Sequence, residues 1–161
     1  EIEISSAAIS GLWFCGGRVT YLSDLKAESY KFTPYLPQEW PLRTDRSVQG
    51  GPLRLRGIEY PKGLGLHSRC EVVYRLDGRY RQFQATIGID DDTSGKGSST
   101  FEVLVDGKSS YKSPLLTGMS PAVGIPPVNV SKARTLTLIV DFATLGDIQD
   151  HADWCQALLL N

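Results

Sequence analysis

The 161-residue chain is poor in cysteine and histidine and close to charge balance, and each shortage excludes a class of function. Its three cysteines, Cys15, Cys70 and Cys155, share no CxxC spacing, which argues against a zinc site and allows at most one disulfide. Cys70 alternates with Val72, Tyr74 and Leu76, and Cys155 lies in the apolar end WCQALLLN, so both read as small core hydrophobes. Seventeen basic residues are scattered among eighteen acidic ones, which leaves no electrostatic footprint for nucleic acid or for an anionic membrane surface. No apolar run approaches the roughly 20 residues of a membrane-spanning helix. Nor does any stretch keep a 3.6-residue apolar period over three turns, so little helix is expected. With two histidines and no recognisable nucleophile motif, nothing supports a Ser-His-Asp arrangement. A glycosidase-type carboxylate pair could be drawn from many aspartates, so that signal is nonspecific and assigns no catalytic role.

What is abundant is period-two patterning punctuated by glycine and proline. RCEVVYRL, RQFQATIGI, STFEVLVDG and TLTLIVDFA each alternate, with Phe83, Ala85, Ile87 and Ile89 on one face and Phe101, Val103 and Val105 on another. Asp-Gly within residues 105–109 favours a tight hairpin, and ALLL near the end suits a central strand lying beside the N-terminal part of the sheet. Short strands at regular intervals predict a β-sandwich. A chain of this length buries about two-thirds of its surface on folding, so neither a disulfide nor a metal is needed merely to fold. From that length we expect one domain, residues 1–161, and the start at Glu1, with neither methionine nor leader, suggests an excised domain or mature fragment of a longer protein.

The stretch GIDDDTSGKGSSTFEVLVDGK, residues 88–108, nearly spells an EF-hand loop, but counting from Asp90 the twelfth residue is Phe101 and Glu102 comes one step late. SGKGSS fails equally as a phosphate loop, because Gly97 stands where Ser or Thr should follow Lys96. The stretch therefore reads as strand, polar loop and strand. Residues 31–56, KFTPYLPQEWPLRTDRSVQGGPLRLR, are dense in proline and show little periodicity. They predict a long structured loop, a usual place for function.

VTYLSDL, KGLGLHS, the block IGIDDDTSGKGSSTFEVLVDGK and GDIQDHADW, in this order and spacing, resemble the NPCBM/NEW2 family of domains found beside glycoside hydrolases, and the resemblance spans nearly the whole chain. It implies an all-β, jelly-roll-like antiparallel sandwich of the galactose-binding-domain type. It also implies a non-catalytic carbohydrate-binding module for galactose-containing or related glycans, with calcium as a structural ion. By the same resemblance the domain tethers an enzyme or surface protein, in a secreted, periplasmic or cell-surface setting, beside a catalytic domain of its parent chain. The alternative is the same sandwich serving as a structural or protein-interaction domain without sugar affinity.

Trp40 is the candidate sugar platform, since it shares a polar, proline-rich loop with Tyr35, Arg43 and Asp45, although a tryptophan merely anchoring its loop fits equally. His67 follows two glycines taken to make a sharp turn, and His151 lies between Asp150 and Asp153. Either histidine could instead be structural. The expected sugar site is Trp40, Arg43, Asp45 and His67 on one concave surface, with His151 completing it. Trp154, which starts an apolar run, reads as core. For calcium the candidates are Asp141, Asp147 and Asp150, read as one acidic loop, with Asp90, Asp91 and Asp92 as second choice and a solvated loop as the plain alternative.

Overall fold

The computed structural model of the chain describes residues 19–34, 37–143 and 148–161. In chain order the strands are β1 (Val19–Tyr21), β2 (Ser29–Phe32), β3 (Arg43–Thr44), β4 (Leu53–Leu55), β5 (Ile58–Tyr60), β6 (Gly63–His67), β7 (Cys70–Arg75), β8 (Gln82–Ile89), β9 (Ser98–Val105), β10 (Lys108–Lys112), β11 (Leu116–Thr117), β12 (Val123–Gly124), β13 (Val128–Asn129), β14 (Thr135–Phe142) and β15 (His151–Leu160). One sheet runs β12-β8-β15-β6-β3, with β1 also on β15 and β13 on β8. The second runs β10-β9-β14-β7-β2, with β11 on β9, and β4 and β5 form a separate hairpin. Every pairing is antiparallel.

The alternation explains the two-layer packing. β8 turns Phe83, Ala85, Ile87 and Ile89 inward and β9 turns Phe101 and Val103 to meet them, all buried in one cluster shared by both sheets. Trp154 bridges the layers from β15, with Phe101 edge-on at 5.4 Å and Phe83 tilted at 6.4 Å, and it is fully buried, as the apolar run predicts. Cys70 and Cys155 are buried free thiols. Burial pushes the Cys70 thiol up to about 12, so at neutral pH it stays protonated and inert. Val105 and Lys108 pair across a two-residue turn whose Asp106 and Gly107 both have positive φ, 48° and 77°, as a tight primed hairpin requires.

Three local expectations are corrected. Residues 31–56 are not loop throughout, since β2 ends, β3 forms and β4 begins within them. KGLGLHS is strand rather than turn: β6 is buried along its whole length. A Cβ on Gly65 would stand 2.3 Å from the Arg46 carbonyl oxygen and 2.6 Å from the Val48 nitrogen, so glycine is needed there to let the 46–48 backbone cross the strand. Asp141 lies within β14 rather than in a loop after it. The central position of the C-terminal run is as expected, and β15 reaches back to His151, between β8 and β6. Its register shifts between Cys155 and Leu158, where Gln156 has φ 48°. This bulge resets the alternation, so that Ala157 and Leu159 continue the inward face begun by Ala152 and Trp154. Cys155 faces the other way, packing with Leu53 and Leu55 beneath the β4–β5 hairpin.

Candidate functional site

The register of β15 against β6 makes His151 and His67 direct cross-strand partners, at neighbouring strand ends. Leu66 and Ala152, one residue away on each strand, point into the core, so both histidines belong to the outer face of the sheet. Their rings lie 5.6 Å apart at 56°. Trp40 descends from the proline-rich segment and stacks on His67, with centroids 4.7 Å apart and planes within 2°, and it meets His151 at 5.6 Å and 54°. Two groups on β2 hold this arrangement: the Tyr30 phenol donates to the Trp40 carbonyl at 2.7 Å, and Phe32 sits edge-on to His67 at 6.1 Å.

Hydrogen bonds set what the imidazoles present. His67 Nδ1 lies 2.8 Å from the Ser68 carbonyl, which can only accept, so Nδ1 carries the proton and Nε2 becomes the acceptor of the neutral ring. His151 Nδ1 is 2.5 Å from Asp92 Oδ1, which orients that ring in the same way, while the Ser47 hydroxyl donates to the other Asp92 oxygen at 3.3 Å. His151 Nε2 then faces the Gln49 amide nitrogen at 3.5 Å. Gln38, Gln49 and Gln149 complete, with Ile148, a cleft of about 350 Å³ around Trp40 and the two histidines. The Gln149 side-chain oxygen finds no donor among the described residues. Among the described residues lining the cleft there is no lysine, arginine or carboxylate. Amides, imidazole acceptors and an indole suit a neutral ligand bearing several hydroxyls better than a phosphate or a carboxylate.

The family model described as NPCBM/NEW2 domain matches residues 18–160. The chain belongs to this family. Over 88% of its length it is 35% identical to a protein of Renibacterium salmoninarum named as an endo-alpha-N-acetylgalactosaminidase, of which the matched stretch is only 9%. Among solved structures, the second CBM51 module of Clostridium perfringens ZmpB, in complex with GlcNAc, superposes with a TM-score of 0.81 at 32% identity, covering 89% of this chain and 32% of that one. The CBM51 of Clostridium perfringens GH95, in complex with methyl-galactose, gives 0.79 at 28% identity, covering 88% of this chain and 99% of that one. Both neighbours carry the sandwich of this NPCBM domain.

The other expected site residues are placed elsewhere. Arg43 uses its Nε to bond the Val48 carbonyl at 2.8 Å, which ties down the 43–48 turn. Asp45 accepts from Lys62 at 2.8 Å and from the Gly63 amide at 3.0 Å, and Lys62 also pairs with Asp24. Burial works against the Asp45 charge, yet Lys62 and that amide hold its carboxyl below the ordinary value. Neither residue is among the described residues lining the cleft, and Tyr35 lies outside the described residues.

The calcium trio does not fit the ion where it is described. Asp150 is buried, one oxygen accepting from the Ser68 hydroxyl at 2.6 Å and the other from the Ser98 amide at 2.7 Å, so it welds the start of β15 to neighbouring turns. Asp141 faces Arg69 at 3.7 Å, and Asp147 lies outside the described residues. Calcium needs six to eight converging oxygens, and among the described residues no three of His, Cys, Asp and Glu gather to hold a metal. The aspartates of 90–92 are structural ties: Asp90 accepts from the Arg54 amide, Asp91 from those of Arg56 and Gly57, and Asp92 serves His151 and Ser47. Gln38, Gln49 and Gln149 were not foreseen, and Asp92 was expected only as a second-choice calcium ligand rather than as the partner of His151. A glutamine in a loop carries no local signal of function, and the pairing of Asp92 with His151 spans 59 positions.

Proposed function

We propose that this chain is a non-catalytic carbohydrate-binding module that takes a neutral pyranose, of the galactose or GlcNAc type, in the cleft of Trp40, His67 and His151. The observation that carries this is the Trp40–His67 stack crossed by His151, whose imidazoles have their Nδ1 protons committed to Ser68 and Asp92. An apolar sugar face lies against the exposed part of the indole, while Nε2 atoms and glutamine amides take up the hydroxyls. The sugars named with the two solved neighbours, GlcNAc and methyl-galactose, support this class of ligand. The small share of the Renibacterium protein that the chain matches supports an accessory module beside a catalytic domain of the same parent. Each hydroxyl bond contributes only about 0.5–1.5 kcal/mol net, so a lone monosaccharide should bind with a dissociation constant on the order of 0.1–1 mM.

Calorimetric titration with methyl galactoside and with GlcNAc tests the reading. Saturable binding of at least one, lost in Trp40→Ala while the fold persists, is the expected result. Full binding in Trp40→Ala would remove the cleft from the account, and no binding of any sugar would move it to the interaction-domain alternative.

A further inference from the structure

Trp40 borders two clefts rather than one. Beyond it lies a second hollow of about 460 Å³, lined by Tyr30, Phe32, Pro34, Glu39, Trp40 and Pro41. Each hollow falls at the lower end of the roughly 300–1,000 Å³ usual for ligand sites. The two are joined through Trp40 itself and through the edge contact of Phe32 with His67. Their chemistry differs. The first offers amides and imidazoles; the second offers three aromatic rings, two prolines and a single carboxylate on the exposed Glu39.

We propose that the second cleft is a further sugar subsite, taking the penultimate residue of a glycan whose terminal pyranose occupies the Trp40–His67–His151 cleft. This rests on the reading of that first cleft as a sugar site. Rings and prolines suit the apolar C–H faces of a pyranose, and a carboxylate accepts from its hydroxyls with charge-assisted hydrogen bonds. The wall between the subsites is rigid, because the Tyr30 phenol anchors the Trp40 backbone and His67 supports its ring. Glu39 also sets a preference. Its charge repels a sulfated or uronic sugar at this position, so the chain selects neutral oligosaccharides over acidic ones. The domain would then read a disaccharide or longer chain rather than any exposed monosaccharide.

The test is titration of the domain with methyl galactoside, GlcNAc and a panel of neutral di- and trisaccharides ending in either sugar, repeated with Glu39→Ala. At least one oligosaccharide should bind about tenfold or more tightly than its own terminal monosaccharide, about 1.4 kcal/mol. In Glu39→Ala that ratio should fall towards one. If every oligosaccharide binds no better than its terminal sugar, or the ratio survives the substitution, the second subsite is wrong while the first stands. If nothing in the panel binds, the first cleft fails as a sugar site and the second fails with it.

Discussion

Replacing Asp153 by asparagine should stabilise the domain at neutral pH and leave it unchanged in acid. Asp153 is the third residue of β15, on its outer face, paired in register with Gly65 and Gly88, and is completely buried. Neither of its oxygens has a hydrogen-bond partner of ordinary geometry among the described residues. Burial first, then the adjoining Asp90 carboxyl and the charge of Asp92, push Asp153 well above the ordinary carboxylate range. In the unfolded chain it titrates near 3.9. Below that pH both states hold the proton and ionisation of the site contributes nothing to stability. Above it only the folded state must keep the proton, so stability falls as pH rises, until the pH passes the raised folded value. The slope across that window is about 1.4 kcal/mol per pH unit, or roughly 3–5 °C per unit for a chain of this size. Asparagine has the same shape, cannot ionise, and can donate to Asp90 as a protonated Asp153 would. Melting curves of both proteins between pH 4 and pH 8 check this. The advantage of Asp153→Asn should be near zero at pH 4 and grow with each unit. A difference that is flat with pH, or that shrinks as pH rises, would refute the reasoning.

Further predictions concern packing and ions. Trp154→Ala should cost about 3–5 kcal/mol in denaturant unfolding, because a fully buried bridge between the sheets is lost; a cost under 1 kcal/mol would show that the layers close over the gap. Gly65→Ala should destabilise by about 1–3 kcal/mol and weaken sugar binding, since the new methyl must push aside the backbone that carries Gln49; an unchanged titration curve would contradict this. Because Asp150 has both oxygens engaged and Asp141 faces Arg69, chelation should leave the melting temperature unchanged. A drop of several degrees, reversed by calcium, would restore the ion to the account.

The fold was legible because its strands alternate cleanly. Phe83 through Ile89 and Phe101 through Val103 mark faces that only a two-layer β structure buries, and Asp106-Gly107 names its own turn. The glycines of KGLGLHS misled because the same residue serves a sharp turn and a close crossing, and only the path of Arg46–Val48 distinguishes them. At the site, Trp40 and the histidines stood out by residue type, but their meeting depends on the β6–β15 register, which no local pattern specifies. Asp45 looked like a neighbour of Trp40 by sequence distance. The pairing of β3 with β6 instead aims it at Lys62 and the Gly63 amide. Gln49 and Gln149 were invisible for the opposite reason, since they reach the cleft from segments about 100 positions apart.

The most direct test of the central claim is an NMR titration that follows the histidine ring nitrogens as methyl galactoside or GlcNAc is added. The account predicts that the Nε2 signals of His67 and His151 shift together and saturate, while Nδ1 of each keeps its proton. Saturable sugar binding that leaves both rings unmoved would place the glycan elsewhere on the domain and contradict the account.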